Sequence, residues 1–235
     1  MPISISSVAG RTLILGLLAV VLLTTSPLEA ADVTLRLQGQ VVTSSASSVG
    51  LDEDFGSSPG AYLGAEFRLN DRFGIEVGAA WAELEESERF DTGLGILETE
   101  ARVTFTPVTV ALDIHLTPQK PYDLYVAPKI GWAFVDDLEV LNRTEFPSFP
   151  GFPTGFNQTF TVDIPTEDTF VLGLRVGFDL PFGDGPWSFS SSVDYLDLPA
   201  EISLSQPGRR NVGGPSSVDV DIDPLSIGAG VGYKF

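Results

Sequence analysis

The chain has 235 residues, no cysteine and a formal net charge of −19 at pH 7. The absence of cysteine excludes a small disulfide-stapled scaffold. The acidic balance argues against nucleic acid as a partner, because phosphates need cationic side chains to neutralise them. The length is sufficient for one sizeable all-β unit.

Residues 1–30 have the pattern of a secretory signal peptide. Arg11 precedes the apolar run TLILGLLAVVLL, and small residues follow in TTSPLEA. The run is about 12 residues, shorter than the roughly 20 that a membrane-spanning helix needs. We therefore expect cleavage near Ala30 and a mature domain at residues 31–235. No later stretch reaches 18 apolar residues, so a mature chain in a membrane would have to be a β-barrel.

Alternation of apolar and polar residues predicts eight strands after the signal peptide. In chain order they lie in DVTLRLQGQVV, AYLGAEFRL, FGIEVGAAW, ARVTFTPVTVALDIHL, LYVAPKIGWAF, TFVLGLRVGFDL, WSFSSSVDYLDL and DPLSIGAGVGYKF. Strands of about 9 to 11 residues cross a bilayer when they are tilted. In the fourth strand the alternation changes phase near Pro107, where we expect a β-bulge.

The connections between these strands alternate in length. After the second, fourth and sixth strands the chain turns tightly at NDR, TPQKPYD and PFGDGP, which are turn signals. The other connections are long. Short periplasmic turns opposite long extracellular loops are typical of outer-membrane barrels, and a terminal strand with Tyr233 and Phe235 fits an interfacial aromatic belt. We predict an all-β fold, an eight-stranded antiparallel transmembrane β-barrel in the bacterial outer membrane.

Charged residues on the inward faces of these strands predict a polar network in the lumen. Its members are Arg36, Glu66, Arg68, Glu76, Asp113, His115, Lys129, Arg175, Asp179, Asp194 and Lys234. Apart from the histidine they are five cations and five carboxylates, and burial favours such balance because an unpaired buried ion costs several kcal/mol. The excess negative charge lies in the long connections, as in LDEDF, AELEESERFD and VDVDID, and predicts an acidic extracellular rim.

Three segments resemble the OmpW family of small outer-membrane barrels. They are DPLSIGAGVGYKF at 223–235, GFDLPFGDGPWSFSSSVDYLDL at 177–198 and, more loosely, FTPVTVALDIHL at 105–116. These look like the closing strand, the last periplasmic hairpin and the proline-containing fourth strand of that family. The resemblance implies an eight-stranded barrel with a narrow, partly hydrophobic passage associated with uptake of small apolar molecules.

The third long loop departs from the OmpW pattern, since it contains FPSFPGFPTGFNQTF. Its aromatic residues are Phe146, Phe149, Phe152, Phe156 and Phe160. Prolines disfavour a central strand or helix, so we expect these rings on an extended, irregular loop. Two interpretations remain open. The rings form an exposed mouth that collects apolar solutes or contacts lipopolysaccharide acyl chains, or they pack together as a plug over the barrel.

The sequence predicts no enzyme, no cofactor and no metal site. His115 is the only histidine and no serine stands beside it in a lipase-like motif. We expect it to make a lumen hydrogen bond with Asp113 or Lys129 instead of acting as a catalytic base. The acidic loops show no EF-hand spacing, and we expect a solvated rim with counter-ions that bridge to lipopolysaccharide.

Two functional hypotheses follow. The first is a passive conduit or binding site for small hydrophobic molecules, with the phenylalanine-rich loop as its mouth. The interior of an eight-stranded barrel is just wide enough for its own side chains, so an open aqueous pore is not expected. Pro107 and Pro224, which interrupt strand pairing, would then mark a lateral exit through the wall. The second is a closed structural or surface-interaction barrel whose acidic extracellular loops contact lipopolysaccharide, cations or other partners.

Overall fold

The computed structural model describes residues 32–48, 51–91, 96–118, 120–146, 156–164, 166–203 and 217–235. Over these residues the chain forms ten strands: β1 (Asp32–Ser48), β2 (Leu51–Arg68), β3 (Phe73–Asp91), β4 (Ile96–His115), β5 (Asp123–Val135), β6 (Leu138–Phe146), β7 (Phe156–Ile164), β8 (Thr169–Pro181), β9 (Trp187–Ser203) and β10 (Ser217–Lys234). In this described part, no helix has the length and apolar character needed to cross a membrane. The predicted signal peptide lies outside the described residues.

Eight of the ten strands close into an antiparallel ring. The order around the ring is β3-β2-β1-β10-β9-β8-β5-β4, and β4 pairs back with β3. The first and last strands close the ring over a long register that runs from Thr34↔Lys234 to Ser47↔Asp221. The prediction of an eight-stranded antiparallel barrel is therefore confirmed.

Tight turns join the strands at one end of the barrel, as predicted. In the β2–β3 turn the side-chain oxygen of Asn70 accepts hydrogen bonds from the backbone N–H groups of Arg72 (2.8 Å) and Phe73 (3.1 Å), an Asx turn that compensates for lost ladder partners. In the β8–β9 turn Gly183 has a φ of 63°, which glycine adopts without the strain that a Cβ atom would cause. We call this end the lower end.

At the upper end the strands continue into segments that the sequence predicted as loops. The β3–β4 pairing runs without a change of register from Phe73↔Ile114 to Asp91↔Ile96. Beyond the ring, the upper part of β4 also pairs with β6, and β6 pairs with β7. Part of the acidic upper end is therefore an extended sheet, in which β3, β4, β6 and β7 are neighbours.

The expectation of an irregular phenylalanine-rich loop is wrong for three of its five phenylalanines. Phe146 ends β6, Phe156 begins β7 opposite it, and Phe160 lies within β7. The three prolines of the segment lie between the two strands, at 147, 150 and 153, so neither strand loses a ladder donor to them. Phe149 and Phe152 lie outside the described residues.

The outer surface of the ring is apolar, with the predicted period of two. Its large exposed hydrophobic residues include Leu37, Val41, Ile75, Trp81, Val110, Leu112, Ile130, Trp132, Phe170, Leu172, Leu174, Val176, Val193, Tyr195, Ile227 and Val231. At the lower end Trp187, Tyr233 and Phe235 stack edge to face, with successive ring centroids 4.8 Å apart. A soluble protein would not expose so much apolar surface, whereas lipid tails would cover it.

The predicted bulge at Pro107 is wrong. Odd-numbered residues of β4 are buried from Val103 to His115, and the register with β5 is constant from Phe105↔Val135 to His115↔Tyr125. Along β4 the side chains that face the lumen change from apolar to polar. In the sequence this change looks like a shift in the alternation, although the residues that face the lumen stay the odd-numbered ones.

The β9–β10 register is likewise the same on both sides of Pro224, at Ile222↔Leu198 and Leu225↔Tyr195. No residue is extruded from the described ladders at either proline. The lateral exit that the two prolines suggested therefore has no support in the strand pairing.

A cation on the outer face should destabilise the barrel in lipid. Leu174 is exposed in the middle of β8, and we expect Leu174→Arg to lower the free energy of unfolding in lipid vesicles by about 2–4 kcal/mol, because the bilayer interior disfavours a charge. The control is Thr161→Arg on the exposed surface of β7, which should change it little. Equal effects of both variants in denaturant titrations would contradict a lipid-facing surface.

Candidate functional site

The lumen is filled by two layers of side chains. The upper layer is an apolar cluster made of Val42, Ala82, Leu84, Val103, Phe105, Ala133, Val135, Val171, Leu196 and Leu198. The lower layer is the charged network described below. Between them a cavity of about 20 Å³ is lined by Phe105 and Leu196 on its apolar side and by Lys129 and Arg175 on its polar side. This is room for about one or two waters, far below the roughly 300–1,000 Å³ of a small-molecule pocket.

Arg36 on β1 is the centre of the lower layer. Its side chain is 1% exposed. Nη2 donates to Glu66 Oε2 (2.6 Å) and Asp179 Oδ2 (2.8 Å), Nη1 donates to Glu76 Oε2 (2.7 Å), and Nε lies 3.1 Å from Asp179 Oδ2. The guanidinium also lies over the ring of Tyr125, 4.7 Å from its centroid, a favourable cation–π position. Arg36 therefore ties β1 to β2, β3 and β8.

Arg175 on β8 extends this network to β3 and β9. Its Nε donates to both oxygens of Asp194, at 2.9 and 3.0 Å, and its Nη1 donates to Glu76. Tyr62 lies under the guanidinium, with the ring centroid 3.8 Å from Cζ, and donates its hydroxyl to Glu76. Lys129 pairs with Asp194. Glu76 is thus the carboxylate that joins the two arginines.

The two tyrosines fit because glycines lie beside them. A Cβ atom at Gly78 would lie 2.7 Å from Tyr62 Cε2, and one at Gly177 would lie 2.6 Å from Tyr125 Cε1. Real Cβ atoms do not approach so closely, so any larger residue at these positions would displace the rings and the arginines stacked on them.

His115 lies at the lower edge of the network, in a cluster open to solvent on one side. Its Nε2 is 2.8 Å from Glu66 Oε1 and its Nδ1 is 2.7 Å from Asp123 Oδ2. Arg68 contacts both carboxylates. The side chains of Arg68 and Asp123 are 23% and 17% exposed, and that of His115 is fully buried.

The expected hydrogen bond of His115 with Asp113 or Lys129 is wrong, because its partners come from β2 and from the start of β5. The sequence predicts that Asp123 lies in the turn TPQKPYD, so it is absent from the predicted lumen network. The register His115↔Tyr125 makes Asp123 a diagonal neighbour of His115 across the turn, at a separation that long side chains span. The length of the β4–β5 turn could have predicted this position, because it sets which residue of β5 lies opposite His115.

Asp113 is the least compensated charge of the lumen. Its side chain is fully buried, and neither carboxylate oxygen has a hydrogen-bond partner among the described residues. Arg36 Nη1 lies 3.6 Å from Oδ2, outside ordinary hydrogen-bond distance. A buried carboxylate without donors is unfavourable, so this position calls for a further partner.

The structure brings ten of the eleven predicted network residues together: Arg36, Glu66, Arg68, Glu76, Asp113, His115, Lys129, Arg175, Asp179 and Asp194. Lys234 is different, and its prediction as a buried lumen residue is wrong. It is exposed because it is the last residue of β10, at the rim of the barrel. The rings of the five phenylalanines lie outside the described part of the structure.

Removing the central cation should have a large effect on stability. We expect Arg36→Met to lower the free energy of unfolding by about 3–5 kcal/mol, because Glu66, Glu76 and Asp179 would be left buried without their shared partner. Arg143→Met is the control, since Arg143 is 51% exposed and 3.5 Å from Glu98; it should cost less than about 1 kcal/mol. Denaturant titration in vesicles measures both, and similar losses would show that the network contributes little.

Comparison with known proteins gives one family match. The family described as "Outer membrane protein beta-barrel domain" matches residues 15–235. No curated protein matches the sequence.

Solved structures with a similar arrangement include Ail, the attachment invasion locus protein of Yersinia pestis, in complex with the heparin analogue sucrose octasulfate (14% identity, 87% of this chain and 99% of that chain, TM-score 0.41). Neisserial surface protein A is 15% identical, with 88% of this chain and 100% of that chain covered and a TM-score of 0.43. The outer membrane protease OmpT of Escherichia coli is 6% identical, with 89% and 98% covered and a TM-score of 0.42.

Proposed function

The chain belongs to the family of outer-membrane protein β-barrel domains, and on that premise we propose that it is a closed, non-enzymatic barrel whose acidic upper sheet contacts cationic partners outside the cell. The chain lies in the bacterial outer membrane. The observation that carries the proposal is the filled lumen, in which an apolar layer and a charged layer lie one above the other. This favours the surface-interaction hypothesis over a conduit.

Closure is supported by the way the charged layer crosses the lumen. Arg36 on β1 pairs with Asp179 on β8, and Arg175 on β8 pairs with Glu76 on β3. A solute moving along the axis would have to separate these pairs and leave buried charges without partners, at a cost of several kcal/mol for each ion.

The conduit that the OmpW resemblance implies would need a continuous apolar path. The apolar layer around Leu84 and Phe105 could form its upper part, but below it the described residues form the ion network.

The upper sheet has the charge that a cationic partner would recognise. Residues 83–91 and 96–102 together with β6 and β7 contain ten carboxylates and three arginines. Arg102 alone lies within 3.6 Å of three of them, Glu83 (3.1 Å), Glu85 (3.6 Å) and Glu100 (3.0 Å). Such a surface attracts positive charge, and the association rate should fall as salt rises.

Transport of a small apolar dye tests closure. The purified protein in liposomes should give no more dye uptake than protein-free liposomes, and the same protein lacking residues 147–155 should behave alike. Protein-dependent uptake that falls on this deletion would contradict closure and support a conduit with a phenylalanine-rich mouth.

Binding of an oligolysine peptide tests the acidic sheet. We expect the combined variant Glu83→Gln, Glu85→Gln and Glu100→Gln to weaken binding to the protein in nanodiscs several-fold at low salt, because it removes three carboxylates of the sheet. The matched control neutralises the exposed carboxylates Asp71 and Asp184 at the lower turns and should leave oligolysine binding unchanged. Equal binding by the triple variant and the wild type would contradict the proposed surface.

A further inference from the structure

We propose that the lower lumen binds one divalent cation of the zinc class through Glu66, Asp113 and His115. One potential ligand atom from each of these residues lies within 4.8 Å of the other two. One imidazole nitrogen with carboxylate oxygens is a donor set that zinc and similar first-row ions accept, with a water completing the coordination. The inference goes beyond the closed surface barrel, which does not require a cation.

The orphaned carboxylate of Asp113 is the first observation that points to a ligand. Both of its oxygens lack a hydrogen-bond donor within the described residues although the side chain is fully buried. Asp123 Oδ1, Asp179 Oδ1 and the Tyr125 hydroxyl also lack a partner within the described residues, but Asp113 alone among these carboxylates lacks a donor at both oxygens. A cation at Asp113 would supply the partner that the protein does not.

The surroundings of His115 are the second observation. Asp123 Oδ2 lies 2.7 Å from Nδ1, and a carboxylate in this position holds the proton on Nδ1 and leaves the Nε2 lone pair for a metal. Nε2 is 2.8 Å from Glu66 Oε1, close to the roughly 3 Å between neighbouring ligands of an ion with bonds of about 2.0–2.1 Å. The ring of Tyr125, with its centroid 5.9 Å from that of the imidazole, packs beside it.

Without a cation the same contacts admit the other tautomer. Arg68 Nη2 lies 2.7 Å from His115 Nδ1, so Arg68 can donate to Nδ1 while Nε2–H donates to Glu66. A cation on Nε2 selects the form in which Nδ1–H donates to Asp123. Metal binding should therefore change the protonation pattern of the imidazole, and this change is measurable.

The charge of the described lumen matches a divalent ion. Its carboxylates are Glu66, Glu76, Asp113, Asp123, Asp179 and Asp194, and its lysine and arginine residues are Arg36, Arg68, Lys129 and Arg175. A metal bound to Nε2 requires a neutral His115, and in that state the two negative charges left over are neutralised by one divalent cation. The partly exposed side chains of Arg68 and Asp123 give the ion a route from the lower, periplasmic end.

The sequence makes the test specific. The chain has one histidine and no cysteine, so an imidazole nitrogen found on a bound metal must come from His115. The acidic upper sheet can bind cations through oxygen alone, as hard cations prefer. Imidazole ligation therefore separates the lumen site from adventitious binding at the surface.

Zinc titration of the full-length protein without a histidine tag, purified in detergent and stripped with EDTA, tests the proposal. In competition with a chromophoric chelator we expect one equivalent of Zn²⁺ to bind, and Asp113→Asn to weaken it at least tenfold. Asn fits the space of Asp113 and breaks no described hydrogen bond, so the variant should fold. Glu98→Gln, on the exposed upper sheet, is the matched control and should bind like the wild type.

Electron paramagnetic resonance with Cu²⁺ identifies the ligand. We expect nitrogen hyperfine coupling in the wild type and its loss in His115→Gln. Equal Zn²⁺ binding by wild type and Asp113→Asn, or a Cu²⁺ spectrum without this nitrogen, would overturn the proposal and show that the lumen takes up protons instead. Neither result would bear on dye transport, so the two proposals fail separately.

Discussion

The pairing of Arg36 with carboxylates from three other strands is the interaction on which the interior of this barrel depends. Arg36 is buried on β1, and its guanidinium meets Glu66 on β2, Glu76 on β3 and Asp179 on β8. Since β1 is next to β2 and β10 in the ring, the contacts with β3 and β8 reach across the lumen. A buried guanidinium has to satisfy its five N–H donors, and this requirement fixes which carboxylates face inward.

The other features of the lumen follow from this constraint. Glu76 accepts from both Arg36 and Arg175, so the two arginines form one layer. Each arginine stacks on a tyrosine, and each tyrosine needs the space beside a glycine, as Gly177 provides for Tyr125. An interior held in this way is filled, which is why we place the function at the acidic upper sheet.

The sequence predicted the ring and most of the lumen network, because a period of two separates lipid-facing from lumen-facing residues wherever one face is polar. It failed in the upper part of β4, where the lumen-facing side chains are apolar and the alternate residues Thr104 and Thr106 are polar. In β4, Val103 and Phe105 face the lumen as Thr109 and Asp113 do, but their apolar character imitated a change of phase. The alternation predicts which residues of a strand share a face. It does not predict the depth at which the lumen changes from polar to apolar, because that depth depends on contacts between strands distant in the sequence.

Three other features depended on information that the alternation does not carry. The hairpin of β6 and β7 was hidden by the prolines between its strands, although these lie where no ladder donor is needed. Asp123 was hidden by its position in a turn, and only the register between β4 and β5 places it beside His115. Lys234 lies on the same face of β10 as the lumen residues, but it is exposed because the strand ends there.

The central claim is that the charged layer seals the lumen, and a cysteine accessibility measurement tests it most directly. Ser190 is fully buried and its Oγ accepts a hydrogen bond from Gln38, whereas Ser57 is exposed. In this cysteine-free chain, we predict that a small charged methanethiosulfonate reagent labels Ser57→Cys in the folded barrel and labels Ser190→Cys only after unfolding. Rapid labelling of Ser190→Cys in the folded barrel would mean that water and solutes reach the network, and would contradict the account.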